Sequence, residues 1–250
     1  MVPDGPNLCL WYQPHGNGRS NRPEIYRFRV ASLNGGWADY KSLQISFNKR
    51  FSHNYSYRLS YTRSKSYGNT GSPGNIDTLD TQVLDNLNLD QNEGLTSEDR
   101  PHILSMDGSF RVPHTKGLML SGVYQFTSGT PFTLTDSSTD PDRNGSFQEP
   151  LPAGTYTGVG DTAYTVDYKG GVRGARGPNY ALLNMRAGWR FNLSENRYLQ
   201  AHIDVFNVLN RANFSTPSSD RRTPETFLVL QTILNGGPTR TAQLNLKFTF

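Results

Sequence analysis

The chain has 250 residues and a mass of 28.0 kDa, enough for one large all-β domain or two smaller ones. Hydrophobic residues make up 34% of it, and with a mean hydropathy of -0.63 it has no apolar run near the roughly 18 residues of a transmembrane helix. A single cysteine, Cys9, excludes an internal disulfide framework and a cysteine-rich zinc site. The net charge of +4 is scattered, which argues against a nucleic-acid surface, and residues 1–10 show no secretory signal.

Apolar and polar residues alternate along seven segments, and period-two alternation predicts β-strands with two chemically different faces. In chain order the predicted strands cover residues 43–51, 55–66, 104–112, 118–127, 181–191, 199–205 and 241–250, and a weaker eighth strand is predicted over 25–33. The last segment shows the pattern most clearly. There Ala242, Leu244, Leu246, Phe248 and Phe250 alternate with Gln243, Asn245, Lys247 and Thr249.

The connections between these strands alternate in length. Tight turns join the first predicted strand to the second, the third to the fourth and the fifth to the sixth. The intervening connections are long and run over about 66–100, 129–179 and 210–239. Because antiparallel strands send alternate connections to opposite ends of a sheet, all long loops are expected at one end. Short turns at one end and long loops at the other are typical of an outer-membrane barrel.

The dimensions and the charges agree with a barrel in a bilayer. Eleven residues at about 3.3 Å each, tilted by about 40°, span about 28 Å along the membrane normal, close to the roughly 25 Å apolar band of such barrels. The polar rows contain Arg58, Asp107, Arg186 and Asp204. These charged side chains would destabilise the barrel if they faced lipid, but a water-filled lumen solvates them. We therefore expect Leu244, Leu246, Phe248 and Phe250 to face the membrane, with aromatic girdles at both strand ends.

Several stretches resemble one family of proteins. Residues 40–51 followed by 59–66, together with Glu98-Asp99-Arg100-Pro101-His102, Ser128-Gly129-Thr130-Pro131-Phe132 and the run from Asp204 to Phe214, are similar to the C-terminal barrel of TonB-dependent outer-membrane receptors. The most similar branch is the Oar-like one, whose members often carry a carboxypeptidase-regulatory-like domain. The resemblance covers about residues 22–250.

The resemblance implies a division of the chain and a set of partners. Residues 1–24 are expected to be an irregular N-terminal segment, and 25–250 the C-terminal part of an antiparallel up-and-down transmembrane β-barrel of about seven or eight strands. The family's plug domain, TonB-binding box and signal peptide have no counterpart here, so TonB would act only through those missing parts. Expected partners are outer-membrane lipid, the outer-membrane assembly machinery through Phe250, and an extracellular ligand, but no nucleic acid. Eight strands also allow closure as a small independent barrel.

The resemblance further implies a function at the cell outer membrane, namely binding and importing an extracellular ligand. Loop aromatics available for stacking on a sugar or siderophore are Phe132, Tyr156, Tyr164 and Tyr168, which are equally suited to packing on each other. Two alternatives stay open. One is a structural or adhesive outer-membrane barrel without transport, and the other is a secreted carbohydrate-binding β-sandwich, which needs a second layer over the apolar rows.

A calcium site is a further hypothesis. Asp140, Asp142 and Asn144 take positions 1, 3 and 5 of a calcium loop, with Gly145 at position 6. Position 12, which needs a bidentate Glu, is Leu151, and no helix flanks the run, so a solvated turn in a long loop is the alternative. We expect no other cofactor.

No enzymatic activity is expected. His202 and Asp204 share a face of one strand, and Ser121 and His102 occur elsewhere, but a hydrolase needs these groups to converge. A polar, water-filled interior accounts for them without catalysis. The glycine-rich run 170–177 follows no buried strand and opens no helix, which argues against a phosphate cradle and favours a flexible rim segment before the strand near Asn179.

Overall fold

The computed structural model describes residues 36–69, 89–115, 117–141, 149–160, 162–167, 172–194, 197–234, 237 and 239–250. This part of the chain is all-β apart from 3-10 turns such as the one at Leu89–Asn92, and none of its helices is long and apolar enough to cross a membrane. The predicted strand over 25–33 lies outside the described residues. The strands are β1 Ala38–Ser52, β2 Tyr55–Gly68, β3 Gly94–Leu95, β4 His102–Arg111, β5 Met119–Thr127, β6 Pro131–Phe132, β7 Thr135–Asp136, β8 Glu149–Pro150, β9 Gly154–Tyr156, β10 Tyr164–Val166, β11 Ala175–Arg176, β12 Tyr180–Asn192, β13 Tyr198–Phe206 and β14 Thr241–Thr249.

Seven long strands form one sheet in the order β1-β2-β4-β5-β12-β13-β14, and every neighbouring pair is antiparallel. They are the seven strands predicted from the alternation, with ends that differ by a few residues; β1 begins several residues earlier. The all-β, up-and-down antiparallel architecture is thereby confirmed. The short strand β3 pairs with β2 beside the main path of the sheet.

The loop lengths separate by end, as the sequence predicts. The β1–β2 turn uses His53 and Asn54 with φ of 53° and 69°. Two consecutive positive φ values suit a tight hairpin turn, because its twist then matches that of the strands. The connections after β2, β5 and β13 are long and leave the opposite end of the sheet.

The apolar rows of the sheet carry no protein layer. Leu244 and Leu246 are each 65% exposed and Phe248 is 53% exposed. A soluble sandwich covers such rows with a second sheet, and none lies over them among the residues that the structure describes. A sheet with an uncovered apolar face requires an apolar solvent, so these rows suit hydrocarbon.

The described sheet is open. β1 pairs only with β2 and β14 only with β13, so both leave an edge with unpaired backbone groups within the described chain. Because neighbouring strands alternate in direction and seven strands lie on the path, β1 and β14 run parallel to each other. Joining these two edges directly would create a parallel pair in an otherwise antiparallel sheet.

The buried apolar residues lie at the long-loop end. Their cluster comprises Leu134, Leu151, Tyr164, Val166, Ala175, Phe227 and Leu228, with Phe132 and Tyr156 packed against it. All of these belong to the long connections rather than to the seven-stranded sheet. The molecule therefore consists of a sheet without a protein core and a loop region with one.

Candidate functional site

The described residues of the three long connections, between β2 and β4, β5 and β12, and β13 and β14, form what we call the loop layer. Three two-stranded sheets lie within it: β6 pairs with β11, β7 with β8, and β9 with β10. Backbone hydrogen bonds join separate connections, since Thr135 N donates to Ser219 O at 2.9 Å and Val159 N donates to Phe227 O at 3.2 Å. The loop layer is thus a packed unit held over one end of the sheet.

A buried ion pair joins two connections of the loop layer, and its carboxylate also binds the sheet. The Asp99 side chain is only 1% exposed, and its carboxylate lies 2.6 Å from Arg176 Nη2. The same carboxylate accepts a hydrogen bond from Ser66 N on β2 at 2.6 Å. Arg176 Nη1 also donates to Gly129 O at 2.8 Å, so one guanidinium joins two long connections.

The other residues of the two loop motifs lie beside this ion pair. Arg100 Nη1 donates to Ser128 O at 3.1 Å, and His102 N donates to Ser128 Oγ at 3.2 Å. Gly129 is required by close approach, because a Cβ there would lie 1.9 Å from Gly177 O. The motifs 98–102 and 128–132 therefore form the joint between the sheet and the loop layer.

The run from Asp204 to Phe214 forms a second joint. Asn207, with a φ of 50°, donates from N to Asn184 Oδ1 at 2.9 Å and accepts at Oδ1 from Arg211 N at 3.1 Å. The buried Asn213 amide pairs with the Ala181 backbone, accepting at 2.9 Å and donating at 3.0 Å. These asparagines satisfy backbone groups where β12 and β13 reach the loop layer.

The structure brings three of the four candidate ligand aromatics together in the loop layer. Phe132 and Tyr164 pack edge to face with ring centroids 5.5 Å apart. Tyr164 is only 6% exposed, and burial raises the pKa of its phenol. Tyr156 packs at the edge of the same cluster, and its hydroxyl donates to Pro152 O at 2.7 Å. Tyr168 lies outside the described residues.

Of these aromatics, Tyr156 lines a groove in the loop layer with a volume of about 510 Å³. Arg221 and Phe227 line it together with the 155–159 segment, whose backbone at Gly158 lies against Phe227. Gly158 permits this approach, since a Cβ there would lie 2.0 Å from Phe227 O. The groove thus offers the Tyr156 ring, threonine hydroxyls and the exposed Arg221 guanidinium, which is the chemistry of a site for a polar ligand with a flat face. It is lined by Thr155, Tyr156, Thr157, Gly158, Val159, Arg221, Pro224 and Phe227.

Two carboxylates support the backbone near this groove. Hydrogen bonds from the Ser138 hydroxyl and amide lower the pKa of Asp136. Burial acts to raise the pKa of Asp220, but hydrogen bonds from the amides of Arg222 and Ser137 outweigh it and hold that pKa below its ordinary value. Both carboxylates therefore act as fixed acceptors for loop backbone.

The calcium hypothesis falls largely outside the described residues, because Asp142 and Asn144 are not among them. Asp140 is described and is half-buried. Within the part of the chain that the structure describes, no three His, Cys, Asp or Glu side chains gather to hold a metal ion. Calcium binding stays a prediction.

The glycine-rich run 170–177 lies at the rim, but its described part is anchored. Arg176 lies in β11, which pairs with β6. Arg173 Nη2 donates to Asn92 O at 2.9 Å, and Arg173 Nε donates to Leu95 O. The expectation of a flexible segment is therefore wrong for 172–177, because its two arginines bind neighbouring backbone.

The polar face of the sheet carries matched charges at mid-height. Arg58 Nε lies 2.8 Å from Asp107 Oδ1 across the β2–β4 pair. Arg186 binds Asp204 through both Nε and Nη2, the latter at 2.9 Å. Asn245 adds a hydrogen bond to Asp204 at 3.1 Å. The carboxylate of Asp204 is thereby engaged by an arginine and an amide.

Of the groups weighed as a catalytic set, Ser121, His202 and Asp204 share the polar face of the sheet, with Arg186 between Ser121 and Asp204 in one row, whereas His102 does not. Ser121 is in register with Arg186 on β12, and His202 is in register with Gly188. His102 is on the apolar row, where its Nδ1 lies 2.8 Å from the Tyr61 hydroxyl. His202 and Asp204 share a face, as expected from their spacing.

Sequence reasoning missed three residues of the loop layer, Arg176, Arg221 and Phe227. Arg176 had a signal, namely an arginine between glycines just before a strand. The other two lie in the connection 207–240, whose tertiary contacts no local pattern encodes.

Comparison with known families gives one match. A family model described as an outer membrane beta barrel domain matches residues 11–243. No curated protein and no solved structure matches the chain. The matched range includes six of the seven long strands in full and the first three residues of β14.

Proposed function

Because the chain belongs to the family of outer-membrane β-barrel domains and is located in the outer membrane, we propose that it is the C-terminal barrel part of a TonB-dependent receptor of the Oar-like branch. In this proposal the chain captures an extracellular ligand and contributes to its import. The sheet supplies a segment of the barrel wall, and the loop layer supplies the capture surface. No catalytic step is part of the proposal.

The observation that carries this proposal is the packed loop layer at the long-loop end of the sheet. Its core excludes water from Leu134, Val166 and Leu228, which are at most 2% exposed. Outward-facing loops that only connect strands need no such core, whereas a binding surface needs fixed groups. The ordered loop layer therefore supports ligand capture.

The motifs that resemble the receptor family support the same proposal. Residues 98–102 and 128–132 meet at the Asp99–Arg176 ion pair, and Asn207 and Asn213 join β12 and β13 to the loop layer. Each motif therefore has a physical role at the joint between wall and loops. A joint of this kind is expected where loops must keep their position over a barrel mouth.

Within the loop layer, the groove is our candidate for the capture site. A ring of the ligand stacks on Tyr156, and Arg221 with the threonine hydroxyls binds its polar groups. This chemistry suits a sugar or a siderophore. Phe132 and Tyr164 support the groove from the core rather than contact the ligand, because they pack on each other.

The test uses outer-membrane vesicles that carry the full chain, probed with arrays of oligosaccharides and ferric siderophores. We expect saturable capture of one class, reduced at least tenfold by Tyr156→Ala and by Arg221→Ala. Arg222→Ala removes a neighbouring exposed arginine outside the groove lining and serves as the matched control. Equal loss in all three variants contradicts a groove site.

Import is tested separately in cells of the native host with the captured ligand. TonB-dependent uptake draws its energy from the inner membrane, so a protonophore is expected to stop uptake while capture continues. Capture without uptake, or adhesion of vesicles to surfaces without small-ligand capture, favours the structural or adhesive barrel instead.

A further inference from the structure

The polar face of the sheet is charged unevenly along the strands. At mid-height each charge has a partner, as in the Arg58–Asp107 and Arg186–Asp204 pairs. Nearer the short turns, the polar face carries cations without acidic partners among the described residues. One group of this kind is the patch on β12, β13 and β14.

Three side chains of this patch lie in one row. Arg190 on β12 and Lys247 on β14 are both in register with Gln200 on β13. The next row toward the turn contains Tyr198, in register with Asn192 and Thr249. Adjacent strands are about 4.8 Å apart, so the two cations are anchored about 10 Å from each other across Gln200.

The Arg190 guanidinium is held in place and has no acidic partner among the described residues. Its Nε donates to Asn192 Oδ1 at 3.0 Å, and its Cζ lies 3.9 Å from the centre of the Tyr198 ring. Its two Nη groups have no acceptor among the described residues. A guanidinium fixed at one edge and against a ring presents its remaining donors in a defined direction.

The acidic group on the same strands is already engaged. Asp204 lies two rows from Gln200, and its carboxylate accepts hydrogen bonds from Arg186 and Asn245. Lys247 is exposed and has no ion pair in the described part of the chain. Within the part of the chain that the structure describes, the patch consequently keeps two positive charges.

We infer that Arg190 and Lys247, with Gln200 and Tyr198, form an anion site that binds a phosphate group on the lumenal face near the short turns. The reach of the two cationic side chains lets them converge on one anion over Gln200. Planar arginine donors beside a lysine ammonium are the groups that bind phosphate oxygens. Amide and phenol donors on the intervening strand complete the set.

The source of the phosphate follows from the face of the sheet. The row of Arg190 and Lys247 is the polar row, opposite the row of Leu246 and Phe248 that faces lipid. A phosphorylated solute in the lumen therefore reaches the site directly, whereas a lipid headgroup lies on the other face. The inference needs only a polar lumen and does not depend on ligand import.

The experiment measures pyrophosphate binding by titration calorimetry to the full chain, extracted from outer membranes in a non-ionic detergent. We expect saturable binding that weakens at least tenfold in Arg190→Gln and in Lys247→Gln. Lys65→Gln removes a cation near the long-loop end, where Lys65 Nζ lies 5.7 Å from the Tyr67 ring, and is expected to leave binding unchanged. Arg190→Lys, which keeps the charge, is expected to bind better than Arg190→Gln.

Three results overturn the inference. One is the absence of saturable binding, and another is equal weakening in Lys65→Gln, which indicates a general charge effect. The third is that the chain binds phosphatidylglycerol nanodiscs but does not bind pyrophosphate. This result indicates that a lipid headgroup supplies the phosphate. Heat-modifiable gel mobility checks that each variant is folded, so a lost barrel is not mistaken for a lost site.

Discussion

Removing Arg176 is expected to loosen the loop layer while leaving the sheet intact. Arg176→Ala deletes the partner of Asp99, whose side chain is 1% exposed, together with the hydrogen bond to Gly129 O. Removing one partner of a buried ion pair costs about 3–5 kcal/mol, because the other charge stays buried without compensation. At about 1.4 kcal/mol per factor of ten, the open population of the loop layer rises between about a hundredfold and a few thousandfold.

The matched control is Arg222→Ala. Arg222 Nη2 lies 3.5 Å from Asp220 Oδ2, and the Arg222 side chain is 60% exposed. Exposed pairs contribute about 0–1 kcal/mol, so this variant is expected to change the open population less than about tenfold. Both variants remove one loop arginine from an ion pair, but the carboxylate left behind is buried for Arg176 and partly exposed for Arg222.

Chymotrypsin provides the assay, since it cuts after aromatic residues and neither substitution alters its sites. Cleavage after Phe132 and Tyr164 requires opening, because both rings pack in the loop-layer core. When reclosing is fast, the cleavage rate follows the open population. Equal cleavage rates in Arg176→Ala and Arg222→Ala would falsify the assignment of the Asp99–Arg176 pair as the fastening of the loop layer.

Two further predictions concern the membrane face and the pH response. Leu244→Arg places a charge on the lipid-facing row and is expected to destabilise the folded barrel by about 2–4 kcal/mol, measured by urea titration in vesicles. The control Gln243→Arg, on the lumenal row, is expected to be tolerated. Similar losses of stability in both variants contradict the face assignment. Because the pKa of Asp136 is lowered in the folded chain, its stabilising contribution is complete above the ordinary carboxyl pKa near 4 and is lost as pH falls through the folded-state value. Near-UV circular dichroism of the loop aromatics is expected to report this loss of stability as pH falls. In Ser138→Ala, which lacks the hydroxyl hydrogen bond to Asp136, the midpoint of the loss is expected at a higher pH. An unchanged midpoint in that variant refutes the role of this hydrogen bond.

The sheet was predictable because its causes are local. Alternation at period two fixed which residues share a face, and it requires only that neighbours along the chain experience different solvents. The alternation of short and long connections then fixed which end carries the loops. Exceptions such as Val123 on the polar row, in register with Asp107, show that single positions follow packing rather than pattern.

The candidate site was less predictable because its causes are distant in sequence. Asp99 and Arg176 are joined across 77 residues, and the lining of the groove combines segments around 157 and 224. The motif residues were recognised, but their role as a joint depends on backbone groups that only the fold brings near. Tyr164 illustrates the limit, since nothing local distinguishes a ring packed in the core from one that faces a ligand.

The direction of the edge strands restricts how the barrel closes. β1 and β14 run parallel, so an antiparallel barrel places an odd number of strands between them and has an even total, as outer-membrane barrels commonly do. With even one strand between them, the two edges are about 10 Å apart, beyond the roughly 7 Å that a disulfide spans between Cα atoms. In a Cys9→Ser background, cysteine pairs that combine Ile45 or Phe47 with Leu244 or Leu246 are therefore expected not to form an intramolecular disulfide in the folded chain. Efficient crosslinking of any pair within one molecule would mean that β1 and β14 meet directly, and the antiparallel closure would be wrong.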